Sequence, residues 1–189
     1  MKRLRHTVLS LLVIALVLTV AFLYHGLYFT PQAVMDATER GLHYGPSQQM
    51  LLEYDGPKGT RLLIGKVDDY TLSVIPVQRT WLVFWTLKSG GVTGYLSTTS
   101  DIPVLTDYEP KFQLYCGITA CPGAASIQII LQSSEGESGN PPEPQILQLP
   151  VDENGFFYLE NAPGDVDYQT YPYCTVYDAD GAVLYSLQP

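Results

Sequence analysis

Residues 60–87 read TRLLIGKVDDYTLSVIPVQRTWLVFWTL, and this stretch decides the fold class. It holds three runs rich in β-branched and aromatic side chains, at 60–67, 70–77 and 80–87, the first two separated only by Asp68-Asp69. Runs this short, joined by polar turns, predict strands of an antiparallel meander. Upstream, residues 49–54 form another strand-like run, joined to 60–67 by the turn sequence Asp55-Gly56-Pro57-Lys58-Gly59. Downstream, Ser89-Gly90-Gly91 leads into a fifth run at 92–97. Read as one strand, 80–87 alternates so that Trp81, Val83 and Trp85 share a face and Phe84 takes the other.

Working outward toward the amino terminus, Thr30-Pro31 has the chemistry of an N-cap and first helical position, and Gly41 is placed to stop a short helix over 32–40. Residues 30–97 therefore read as a small α+β unit, one helix plus an antiparallel meander. Before it, Lys2, Arg3 and Arg5 precede an apolar run at 8–24 broken only by Ser10 and Thr19, with Leu27, Tyr28 and Phe29 close behind. A helix over 8–29 would be roughly 33 Å long, enough for a hydrocarbon core of about 30 Å. The expectation is a cytoplasmic tail at 1–7 and a transmembrane signal anchor at 8–29. The basic residues would stay inside, Tyr24, His25 and Tyr28 would sit at the outer interface, and the rest would be extracytoplasmic. The rival is a signal peptide cleaved near Thr19-Val20-Ala21. The apolar run continues through 21–24, which a cleaved signal does not need.

Toward the carboxyl terminus, residues 98–110 carry Ser, Thr, Asp, Pro103 and Pro110 and read as a linker. Beyond it, candidate strands fall at 111–116, 126–132, 145–149, 156–160, 168–177 and 182–187. They are punctuated by turn sequences such as Asp152-Glu153-Asn154-Gly155 and Asp178-Ala179-Asp180-Gly181. Residues 111–189 are thus expected to form an immunoglobulin-like β-sandwich, with a polar, proline-rich loop at 136–144. The whole is a mainly-β ectodomain behind a helical anchor.

From residue 30 onward the chain carries seven basic and all nineteen acidic residues, a formal charge of −12. That charge gives no attraction for nucleic acid or anionic lipid. A cytoplasmic portion of a few residues leaves no room for a kinase or a nucleic-acid-binding domain. The three cysteines, Cys116, Cys121 and Cys174, allow one disulfide and one leftover thiol. A bridge from Cys174 to either partner would be worth roughly 4 kcal/mol by the chain-entropy treatment, and the local Cys116–Cys121 bridge about half that. No C-x-x-C pair exists and no cofactor motif is present, so no metal or cofactor is expected. Asp178-x-Asp180-Gly181 has half of a calcium loop without the downstream glutamate and reads as a hairpin turn. Cys116 with His43 is the one thiol–imidazole pairing to consider, and nothing around either resembles a cysteine-enzyme signature.

The aromatic residues are the remaining candidates for function. Tyr168, Tyr171, Tyr173 and Tyr177 cluster near the carboxyl terminus, and Trp81 and Trp85 share a predicted strand face. Tyr and Trp bury large area at low entropic cost, so these six are the candidate binding face. Core filling is the competing explanation.

The order of elements ends in a β-module with the turns Asp-Glu-Asn-Gly-Phe-Phe-Tyr-Leu (152–159) and Tyr-Asp-Ala-Asp-Gly (177–181). In this the chain resembles the uncharacterised single-pass, membrane-anchored extracytoplasmic proteins of Gram-positive bacteria. The resemblance implies a location and an immunoglobulin-like second half, and carries no activity. The expected function is an extracytoplasmic interaction protein that binds another envelope protein or a wall component without chemistry. The alternatives are an accessory or sensory subunit of a membrane complex and a wall- or peptide-acting enzyme.

Overall fold

Strand β7 (Leu114–Thr119) is buried along its whole length, which no strand at the surface of a two-sheet module would be. The reason lies in the stacking of the sheets in the computed structural model, which describes residues 2–24, 26–81, 83–88, 94–98, 102–133, 144–164 and 166–189. The chain begins with helices α1 (Lys2–Tyr24) and α2 (Pro31–Gly41), then strands β1 (Gln49–Asp55), β2 (Thr60–Asp68), β3 (Thr71–Thr80), β4 (Phe84–Leu87) and β5 (Gly94–Ser97). These five strands make one antiparallel sheet in the order β1-β2-β3-β4, with β5 also on β3. Strand β6 (Val104–Glu109) pairs with β7. Then come β8 (Ser126–Ser133), β9 (Gln145–Pro150), β10 (Phe156–Glu160), β11 (Val166–Asp167), β12 (Tyr173–Tyr177) and β13 (Val183–Leu187). They complete a three-stranded sheet, β10-β7-β6, and a five-stranded sheet, β11-β8-β12-β13 with β9 on β8. The fold is mainly β and antiparallel throughout.

The three-stranded sheet is the middle layer. One face gives Val104, Tyr115 and Phe157 to a core shared with Ile127, Ile129, Leu131, Leu149, Cys174 and Val176 of the five-stranded sheet. The other face gives Leu105, Leu114, Cys116, Ile118 and Phe156 to a core shared with Leu62, Ile64, Leu72 and Val74 of the meander. On the meander's far side, Val34 and Met35 of α2 pack on Leu63, Ile75 and Val77. Alternation in β2 explains this: Leu62 and Ile64 face one layer and Leu63 the other. Each fully buried side chain of this size contributes about 2 kcal/mol of transfer free energy.

The stack corrects the sequence reading in three places. Residues 98–110 are not a free linker, because 104–109 form β6 and hydrogen-bond along β7. The run at 111–116 begins as a turn: Gln113 has φ +49 and Phe112 N–H donates to Glu109 O at 3.0 Å. The run at 168–177 is not one strand. Gln169 and Thr170 leave the sheet edge to accept hydrogen bonds from the Thr106 hydroxyl (2.6 Å) and N–H (2.8 Å) on β6. Most of the loop read at 136–144 lies outside the described residues. The N-cap reading holds, since Thr30 Oγ1 accepts from Ala33 N at 3.2 Å.

The amino-terminal helix also ends earlier than the 8–29 read for it. It ends at Tyr24. Gly26 adopts φ +66 and Leu27 N–H reaches back to Phe22 O at 2.9 Å, the six-to-one bond of a Schellman ending. Tyr28 then pairs with Trp85 as an extra bridge on the meander edge. His25 lies outside the described residues. Over the described side chains, no helix is long and apolar enough to cross a membrane.

Gly117 tests the middle layer. A Cβ there would lie 2.4 Å from the Leu105 carbonyl oxygen and 2.4 Å from the Phe157 ring. The backbone oxygen cannot step aside. Gly117→Ala should cost about 2–3 kcal/mol, read as a lowered midpoint in thermal unfolding of the full chain. An unchanged midpoint would contradict the close packing of β6 on β7.

Candidate functional site

The six aromatic residues singled out above do not form one face. Tyr168 turns inward: its ring stacks on Tyr108 (centroids 4.0 Å apart) and contacts Tyr115 (4.8 Å), and its hydroxyl donates to Pro163 O at 2.6 Å. Tyr171 is exposed in the segment before β12. Trp81 and Trp85 part company because β3 ends at Thr80 and β4 begins at Phe84. Trp81 therefore sits at the hairpin tip with φ +48, exposed. Trp85 lies half-buried against the α2 core, with the Arg61 guanidinium 5.2 Å from its ring centre.

Tyr173 and Tyr177 do lie on a common surface, the outer face of the five-stranded sheet. Register brings Ile146, Ile130 and Tyr173 into one cross-strand row, and Tyr177 opposite Val183. Ile146 is 61% exposed and Val183 59%. Directly paired side chains on three strands make a continuous apolar row with polar neighbours Gln128 and Gln148. The sequence reading missed Ile146, Ile130 and Val183. The signal lay in cross-strand register, which a single sequence does not print.

The cysteines are three free thiols, which corrects the expected disulfide. Cys116 faces the meander core and Cys174 the sandwich core, so the middle sheet stands between them. Burial pushes the Cys116 thiol well above its ordinary value, with Asp107 and Glu109 adding to the effect. Burial, with Cys121 beside it, pushes Cys174 up to about 12. His43 is an exposed residue at φ +63 just past α2, while Cys116 is sealed in the core, so no thiol–imidazole pair is assembled.

A polar cleft of about 360 Å³ lies where the β2–β3 turn meets the loops at 119–124 and 152–155. Lys66 Nζ is 2.9 Å from Asp69 Oδ1 and donates to Asn154 O at 3.2 Å, tying the meander to the sandwich. Asp152 Oδ1 accepts from Asn154 N (2.8 Å) and Phe156 N (2.9 Å), so this carboxylate is committed to its own turn. Asp178 does the same with Asp180 N and Ala182 N, which identifies Asp178–Gly181 as a turn with its carboxylate already engaged. Among the described residues no group of three His, Cys, Asp or Glu side chains could hold a metal ion.

One electrostatic feature was not legible in the sequence. Asp107 and Glu109 lie two residues apart on β6, on the face toward the meander core, near Cys116 and close to Lys111 and Lys88. Burial raises both carboxyl groups. Glu109 moves from an ordinary 4.5 to about 7, through burial first and the Asp107 charge second, against the pull of Lys111 and Lys88. No family model, curated protein or solved structure matches the chain.

Because the folded state holds the Glu109 proton more tightly than the unfolded chain, its effect on stability is most favourable at low pH. That advantage declines as pH rises from 4.5 through about 7. The thermal midpoint of the full chain should therefore fall between about pH 5 and about pH 8. Glu109→Gln should flatten that decline and exceed the parent at the upper end; a variant with the parent's slope would remove Glu109 as the cause. Separately, brief maleimide treatment of the native chain, read by mass spectrometry, should modify Cys121 ahead of the two buried thiols. Rapid modification of Cys116 would contradict its burial.

Proposed function

We propose that the chain is a single-pass, membrane-anchored protein of the cell envelope. Its amino terminus is cytoplasmic, and its β-rich ectodomain binds another envelope protein or a wall component without chemistry of its own. The observation that carries the anchor is the surface of α1. Val8, Leu9, Leu11, Leu12, Val13, Ile14, Leu16, Val17, Leu18 and Val20 are all 50–64% exposed, on every side of the helix. A helix that is apolar all round and not covered by its own protein needs an apolar surrounding. The basic residues Lys2, Arg3 and Arg5 at its start favour the inward orientation.

The module that binds is an immunoglobulin-like sandwich. Supporting that reading, β6, β7 and β10 oppose β9, β8, β12 and β13 in the strand order of such domains. Tyr168, between β11 and β12, bonds back to the Pro163 carbonyl in the manner of a tyrosine corner. The Ile146–Ile130–Tyr173 row is the contact surface this reading favours, since an exposed apolar sheet face with an aromatic anchor suits a protein partner.

Two measurements test the proposal. The full chain should stay with membranes through alkaline extraction, its ectodomain open to protease from outside only; release by alkali, or a mature chain lacking α1, would overturn the anchor. A photo-crosslinker at position 148, beside the row, should trap a discrete partner, and Ile146→Asp should reduce capture about tenfold or more, the effect of a hot-spot loss above ~1.4 kcal/mol. Capture unaffected by Ile146→Asp would remove this face from consideration.

A further inference from the structure

We infer that the β3–β4 hairpin tip, led by Trp81, rests in the lipid headgroup layer and seats the ectodomain directly on the membrane surface. The inference rests on the anchor reading and goes beyond it: an anchor alone leaves the ectodomain free to swing, whereas this contact fixes its height and tilt.

The geometry starts from α1. Phe22, in its last turn, stacks on Phe84 with ring centres 4.8 Å apart and planes inclined by 30°. Phe29, past the helix end, meets the same ring at 5.1 Å. Phe84 is therefore level with the point where α1 leaves the ectodomain. It is the first residue of β4, so the hairpin tip just before it is level with that point as well.

The side chains at this level are strongly exposed. Trp81 is 74% exposed, Val83 55%, Phe29 71% and Tyr24 87%. Tyr24 and Phe29 flank the end of α1, and Trp81 and Val83 lie in the hairpin tip just before Phe84. The tip conformation is built rather than loose: Val83 N–H donates to Trp81 O at 2.8 Å, and Trp81 holds φ +48, a region that disfavours side chains with a Cβ. A bulky indole displayed to water in such a conformation is costly twice over, and its fold neighbours do not cover it. The headgroup layer removes the exposure cost, because indole and phenol rings favour the boundary between hydrocarbon and water. The partner is thus the bilayer that holds α1.

The chain has only two tryptophans, which makes the test direct. The full-length Trp85→Phe chain is reconstituted in phosphatidylcholine vesicles, with or without bromine in the upper acyl chains, so that emission comes from Trp81 alone. Bromolipid should at least halve that emission. The complementary Trp81→Phe chain, which keeps Trp85 in its half-buried site, should lose most of the quenchable signal seen in the parent; this arm does not depend on Trp85→Phe folding normally. A chain that floats with the vesicles and resists alkaline extraction, yet shows no bromolipid quenching of Trp81, overturns the inference and leaves the anchor standing. A chain that does not float with the vesicles overturns the anchor reading, and this inference with it.

Discussion

The burial of the middle sheet on both faces is the constraint from which the rest of the structure follows. β7 carries Leu114, Cys116 and Ile118 toward the meander and Tyr115 toward the sandwich. A strand with apolar side chains on both faces cannot border water, so it needs a sheet on each side. The meander and the five-stranded sheet supply them, and α2 covers the meander's remaining face. The layers are therefore α2, meander, middle sheet and outer sheet. The two halves of the chain share one continuous structure rather than meeting through a linker.

That arrangement also disposes of several chemical readings. The middle sheet separates Cys116 from Cys174 and seals both thiols in apolar cores, where burial holds them protonated. The turn carboxylates Asp152 and Asp178 are occupied by backbone N–H groups of their own turns. The same layering creates the Asp107–Glu109 pair at the edge of the inter-sheet core, where burial makes Glu109 titrate near neutrality. Among the described residues, exposed apolar surface includes α1 itself, the outer sheet face and the side chains near the end of α1.

Local chemistry was legible residue by residue. Thr30-Pro31 capped a helix because an N-cap oxygen and a pre-set proline φ act within one turn of chain. Asp152-Glu153-Asn154-Gly155 and Asp178-Ala179-Asp180-Gly181 turned because an aspartate can accept from N–H groups two and four residues on, within its own turn, while glycine takes φ near +80. The strands of the meander were legible because a half-buried antiparallel strand alternates. The run at 80–87 was misread because alternation cannot show a hairpin tip falling within an apolar run.

By itself, then, the sequence determined what depends on neighbours along the chain: strands, turns, caps, the acidic balance of residues 30–189 and the apolar character of the first helix. The tertiary structure alone decided what depends on pairing across it. It made 104–109 a strand instead of a linker, because β7 needed a second neighbour. It divided the tyrosines, turning Tyr168 into the core and leaving Tyr173 beside Ile130 on the outer face. It separated Trp81 from Trp85 by closing a hairpin between them. Register and layer order arise from contacts between residues far apart in sequence, and one sequence read along its length records those contacts only as apolar residues awaiting a partner.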